Sequence, residues 1–380
     1  MTSSQFPAGV ETLSGLLEHY SPTGEEAPAV GWLVDRMRLL GFPHASIDEA
    51  GNAVGVVGEG PRQLVLLGHI DTVRGEIEVH RQGELLHGRG AVDAKGPLAA
   101  LVEAVRCVGP VPGWQWVVIG AVDEEGDSRG ARFVAERYRP DFVIVGEPSG
   151  WDRLTLGYKG SAWTTITVRR PRMHSSVPQA SACEAAVAAW QGVLHRADDF
   201  NRGRRRVFDQ VTPTLRGWSS GEGDTHAWAT LELGVRLPED LPPEAWLDML
   251  LQPAETVEIR IKGFAVPAYR GEKNSVLSRA FLHSIRGAGG TPSFVRKTGT
   301  ADLNIVAPRW SCPGVAYGPG DSNLDHTPHE HIRLSDFHRA CKVLTTVLGL
   351  LGSQPPAERA PQREGATSRD RTSIQGRPGA

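Results

Sequence analysis

Three short apolar runs in the first 150 residues each stop on the same kind of side chain. Residues 64–67 lead into Gly68-His69-Ile70-Asp71, residues 116–122 into Asp123-Glu124-Glu125, and residues 142–145 into Gly146-Glu147. Apolar runs of this length, bounded by Gly, Pro or charge, read as buried strands. Helical patterns lie between them at 98–108 and 130–138. This alternation predicts an α/β fold, a doubly wound and mostly parallel sheet. Such a sheet places its site at the carboxyl ends of its strands, where these imidazole and carboxylate groups stand.

A chain of 380 residues exceeds the usual single core, so two domains are expected. The texture changes near residue 160. Residues 162–168 and 227–237 alternate as half-exposed strands, 183–194 form an Ala-rich helix, and the Pro-rich stretch 237–243 leads to another helix and a strand at 257–261. These make a small α+β insert. The α/β pattern returns with a helix at 275–285, a run at 314–317 and an amphipathic helix at 334–351. The predicted boundaries are 1–158 and 269–352 for the larger domain and 159–268 for the insert. The tail, 353–380, is too poor in large apolar residues to order itself and is expected to be disordered. Thr23 reads as the N-cap of a helix whose stripe is Leu33, Met37 and Leu40, ending at Gly41.

The net charge of -3 makes no case for nucleic acid or an anionic membrane, and no apolar run reaches membrane-spanning length. The N-terminal residues lack the basic and apolar regions of a secretory signal. Cys107, Cys183, Cys312 and Cys341 show no C-x-x-C spacing, and read as reduced core thiols in a cytoplasm.

Five metal-type ligands occur in order: His69, Asp93 in Gly88-Arg89-Gly90-Ala91-Val92-Asp93-Ala94-Lys95-Gly96, Glu125, Glu147, and His326 in Asp325-His326-Thr327-Pro328. Two imidazoles and three carboxylates suit two borderline-hard divalent cations sharing a carboxylate, the equipment for amide hydrolysis. Asp71 lies two residues beyond His69 in an extended segment, where it can orient the ring through its second nitrogen. The glycines before Asp93 do not make a dinucleotide loop, because the third glycine is absent. H-E-x-x-H is also absent.

Together these motifs resemble the M20 metallopeptidase and deacylase family over residues 8–350. The resemblance implies a zinc or cobalt pair bridged by Asp93, with His69 and Glu147 on one metal and Glu125 and His326 on the other. It implies that Asp71 braces His69, that Glu124 is the general base, and that the peptide after Asp93 is cis. Within the family the chain is most similar to hydrolases that release lysine, or ornithine, from the C-terminal glutamate of a small acidic amino-group carrier protein. The stretches that carry this are Gly90 to Leu98, Lys297-Thr298-Gly299-Thr300-Ala301-Asp302-Leu303-Asn304, and Tyr317-Gly318-Pro319-Gly320-Asp321-Ser322.

By the same resemblance Thr298, Gly299 and Thr300 line the pocket for the released amino acid. Asp302 either pairs with its side-chain ammonium or caps a helix. The insert is expected to act as lid and dimerisation domain. His174, in Met173-His174-Ser175-Ser176-Val177-Pro178, matches a histidine that donates to the oxyanion in the partner subunit's site. Arg236 matches a lid arginine that holds a substrate carboxylate, or is an exposed strand-edge charge. The arginines of the insert, among them Arg169, Arg172, Arg202 and Arg204 to Arg206, form either a solvated face or a patch that steers the acidic carrier. Two alternatives stay open: another deacylase of the family, acting on N-acetylornithine, N-succinyl-diaminopimelate or a dipeptide, and a carrier-binding protein without catalysis.

Overall fold

The computed structural model describes residues 7–174, 176, 178–250 and 257–353. The reading of the N-terminal segment up to residue 6, and that of the tail from 354 on, lie outside the described residues. The chain begins with α1 (Pro7–Glu18), α2 (Ala27–Leu39), β1 (His44–Ile47), β2 (Ala53–Val57), β3 (Arg62–His69), β4 (His80–Gln82), β5 (Leu85–His87) and α3 (Lys95–Val108). It continues through β6 (Trp114–Ala121), α4 (Arg129–Arg137), β7 (Phe142–Gly146) and β8 (Arg153–Tyr158). The insert contributes β9 (Gly160–Pro171), α5 (Ala182–Asn201), β10 (Thr212–Glu222), β11 (His226–Leu237), α6 (Pro243–Leu250) and β12 (Val257–Ile261). The first unit is then completed by β13 (Tyr269–Arg270), α7 (Val276–Gly287), β14 (Ser293–Lys297), α8 (Leu303–Trp310), β15 (Gly314–Ala316), β16 (His331–Arg333) and α9 (Leu334–Gly352).

A mixed nine-stranded sheet runs β1-β2-β6-β3-β7-β15-β8-β13, with β14 also pairing β8. Its centre, β6-β3-β7-β15, is parallel. Both faces are covered, which is why the central strands read as continuous apolar runs. Leu64 and Leu66 of β3 face the core built with α1, α2, α3, α7 and α9. Val65 and Leu67 point the other way, against α4 and α8. Gly68, at the end of β3, lets α3 come close, since a Cβ there would stand 3.3 Å from the Leu98 Cα.

The insert forms a separate antiparallel sheet, β10-β11-β9-β12. Ile166, Val168, Leu231 and Leu233 on its inner face pack against Ala186, Val193 and Trp246 of α5 and α6. A capping box between Ser181 and Glu184 starts α5. Thr23 does not cap α2: Glu26 occupies the N-cap position without a side-chain cap, and the Thr23 hydroxyl donates to Asp71 Oδ2 at 2.9 Å. The cysteines also differ from expectation, because Cys341 is buried whereas Cys107 and Cys183 are exposed. No helix among the described residues is long and apolar enough to cross a membrane.

Candidate metal centre

Parallel register aligns the ends of three strands. Gly68 stands opposite both Gly120 of β6 and Gly146 of β7. The chain therefore leaves the sheet at one level with His69, Glu124-Glu125 and Glu147. Asp93 comes from the loop before α3, and His326 from the loop before β16. His326 and Asp123, which precedes Glu124, sit at φ 61° and 68°. Left-handed backbone costs about 1–3 kcal/mol at a residue other than glycine, and such strain gathers at functional sites.

Two sets of three ligand atoms result, each within 4.8 Å of one another: His69, Asp93 and Glu147, and Asp93, Glu125 and His326. Asp93 belongs to both. Its Oδ1 lies 3.1 Å from His69 Nε2 and its Oδ2 3.0 Å from His326 Nε2. His326 Nε2 is also 2.8 Å from Glu125 Oε1. The Asp93–Ala94 peptide is cis.

Asp71 ties the pieces together. It accepts from the backbone N–H of Glu124 at 3.0 Å and of Glu125 at 3.1 Å, while its backbone oxygen takes His69 Nδ1–H at 2.9 Å. That bond fixes the ring so that Nε2 faces Asp93.

One residue that holds this arrangement escaped the sequence reading. Glu330, fully buried, accepts from the N–H groups of Gly90, Val92 and Asp93 at 3.1, 2.9 and 3.0 Å and from Arg89 Nη1 at 2.8 Å. It pins the Asp93 loop to the segment that carries His326. Its only trace in the sequence is its place in the crowded run His326-Thr327-Pro328-His329-Glu330-His331.

Negative charge is concentrated here and only partly offset by the two imidazoles. Burial and the neighbouring Asp93 push Glu147 up to about 8, against the pull of His69. Burial, with the carboxylates of Glu147, Asp302 and Glu125, lifts Glu124 well above the usual range. Hydrogen bonds to Asp93 and Glu125 raise His326 to about 10. Asp93 is held far below its ordinary value by the two imidazoles, although its burial works the other way. Protons are thus gripped tightly among clustered carboxylates, a cluster that divalent cations would relieve. The donor set, two imidazoles and three carboxylates, fits a pair of borderline-hard ions.

The remaining expected residues divide. Arg236, Thr300, Glu124, Glu125 and His326 line the cleft, and Thr298 and Gly299 line its lobe beside Asp93 and Glu147. Arg236 Nη1 donates to Thr300 Oγ1 at 2.6 Å. Asp302 is not brought to the cleft surface: only 1% exposed, it begins α8 without a side-chain cap, and burial raises it to about 7. His174 lies exposed on the insert, bonded to Ser176 Oγ at 2.8 Å, and is absent from the cleft lining of its own chain. The arginine patch is partly neutralised, because Arg169, Arg172, Arg202 and Arg204 pair with Glu258, Glu222, Asp199 and Asp240.

Known proteins resemble this chain in sequence and in fold. Residues 65–349 match peptidase family M20/M25/M40. The chain is 44% identical over 345 residues to a [LysW]-lysine hydrolase of Deinococcus radiodurans, covering 86% of this chain and 92% of that protein. It is 28% identical over 342 residues to a [LysW]-lysine/[LysW]-ornithine hydrolase of Sulfurisphaera tokodaii, covering 90% and 94%. A tripeptidase from Staphylococcus aureus shares the fold with a TM-score of 0.74 at 19% identity, over 93% of this chain and all of that one. With the family match spanning both the ligand loops and the insert, this chain belongs to the M20 peptidases.

Proposed function

We propose that the protein is a di-metal amidohydrolase that releases lysine, and by the same chemistry ornithine, from the C-terminal glutamate of an amino-group carrier protein. The observation that carries the hydrolytic reading is Asp93 standing between two ligand triads. The carrier and the amino acid follow from the relatives, which act on LysW-linked lysine or ornithine. His69, Asp93 and Glu147 would hold one zinc or cobalt ion, and Asp93, Glu125 and His326 the other. When bound, such a pair polarises a carbonyl and makes water acidic enough to attack at neutral pH.

The chain's own groups supply the rest. Glu124 takes the proton of the attacking water and returns it to the departing amine; burial gives it the basicity that shuttling requires. Asp71 keeps His69 oriented. Arg236, steadied by Thr300, meets a substrate carboxylate, and the segment from Thr298 to Thr300 bounds the pocket for the amino acid.

Residues 159–268 serve as the lid, between catalytic segments 1–158 and 269–352, and as the contact of a homodimer in which His174 reaches the partner's cleft. In support, β10 leaves an edge unpaired among the described residues, and α5 exposes Val187 and Leu194. The test is lysine release from carrier-linked lysine by metal-loaded protein. Release that stops on chelation and returns with zinc or cobalt is expected; release unaffected by exhaustive chelation would contradict the reading.

A further inference from the structure

Tyr158 ends β8 at the lobe of the cleft that Asp93, Glu124, Glu147 and Thr298 also line. It is buried, and its ring belongs to the core that Val143, Leu303 and Ala316 build on the α4 and α8 face of the sheet. Its backbone is held from two sides, by Lys297 of β14 in parallel register and by Tyr269 of β13 in antiparallel register. The ring is thus fixed in place before any substrate arrives.

The hydroxyl on this rigid ring is buried and has no hydrogen-bond partner among the described residues. Tyr317, also buried, behaves as a structural tyrosine does and donates to the Trp151 carbonyl at 2.6 Å. A buried hydroxyl without a partner is costly, and phenylalanine would fill the same core without that cost. Packing alone gives no reason for the oxygen. Besides burial, the groups that raise the phenol well above its ordinary value are Glu147, Asp93, Glu124 and Asp325. The unpartnered donor therefore stands among the ligands and beside the base, not in a remote part of the core.

A neutral phenol suits an oxygen whose charge grows during the reaction better than a carboxylate that is charged from the start. We propose that Tyr158 is a catalytic residue whose hydroxyl donates a hydrogen bond to the scissile carbonyl oxygen as it becomes an oxyanion. The oxygen of water bonds to the carbonyl carbon, the π pair moves onto the carbonyl oxygen, and Glu124 takes the proton. Collapse reforms the carbonyl, breaks the C–N bond and delivers that proton to the leaving nitrogen. Tyr158 keeps its own proton throughout. Because bulk water is shut out, no solvent competes for the bond. The inference rests on the amidohydrolase reading above and adds a catalytic group to it.

The experiment compares Tyr158→Phe with the parent, both full-length and metal-loaded, on carrier-linked lysine. The kcat should fall about 10²-fold with KM held within about twofold, because the bond forms in the transition state. Thermal melts and zinc affinity, read by chelator competition, should match the parent's, since the hydroxyl has no partner to lose. A phosphinate analogue of the tetrahedral intermediate should bind the variant about 10²-fold more weakly, and product lysine equally well. An unchanged kcat, a loss confined to KM, or a loss that excess zinc abolishes overturns the proposal. A parent that releases no lysine contradicts the amidohydrolase reading itself. A parent that does, beside an equally active variant, overturns this inference alone.

Discussion

Asp71 and Glu330 never need to touch a substrate, yet each organises ligands that do the chemistry. Asp71 fixes His69 and the Glu124–Glu125 backbone; Glu330 fixes the loop of Asp93. Glu330→Gln turns an amide N–H toward donors that need an acceptor. Breaking a buried charge network of this kind costs about 3–5 kcal/mol. Denaturant unfolding should show that loss, together with weaker metal binding; an unaltered midpoint and affinity would refute the role. Glu124→Gln should retain the metals and the fold while kcat falls about 10²–10⁴-fold, measured on carrier-linked lysine. An unchanged rate removes Glu124 as the base. His326 carries a sign for pH dependence. Its folded value, about 10, lies above the unfolded value of about 6.5 because it bonds Asp93 and Glu125. Its proton therefore stabilises the metal-free protein fully below about pH 6.5, and that contribution is lost as pH rises through about 10. Cations must displace the proton, so metal affinity should rise by about tenfold per pH unit for each proton released. Chelator competition at several pH values between 6.5 and 8.5 measures this, and a flat profile would count against it.

At the scale of elements, α3 starts two residues after Asp93 and so bears directly on its loop. A Cβ on Gly96 would lie 2.3 Å from the Ala91 carbonyl oxygen, so Gly96→Ala must push the Asp93 loop or the helix aside. A loss of about 1–3 kcal/mol is expected, read as a lowered denaturation midpoint, with weakened metal binding beside it. The elements legible in the sequence were those with strong periodicity or continuous apolar character: β3, β6, β7, α3 and α4 all appear where residues 64–146 predicted them. Others hid for physical reasons. Pro213 and Gly217 interrupt β10, whose register shifts between Leu215 and Gly217. Pro308 lies inside α8, and β4, β5 and β16 are only three residues long. Thr23 looked like a cap because local sequence cannot show that Asp71, far along the chain, claims its hydroxyl.

On the scale of the whole molecule, the ligand order was readable because each ligand sits in its own short motif. The wall of the cleft was not, since Arg132, Arg216 and Phe264 come to line one cavity only when the insert folds over α4. The metal pair should also bind the native state alone, so it links site and stability. At 1,000-fold excess over its Kd, one such ion adds about 4 kcal/mol. Chelation should therefore lower Tm, and re-addition restore it; a Tm indifferent to both would deny the linkage. The most direct measurement of the central claim is anomalous diffraction at the zinc or cobalt edge from metal-loaded crystals. Two peaks about 3.5–4 Å apart are predicted, with Asp93 touching both, His69 and Glu147 on one, and Glu125 and His326 on the other. A single peak, or two peaks with Asp93 bound to only one, would contradict it.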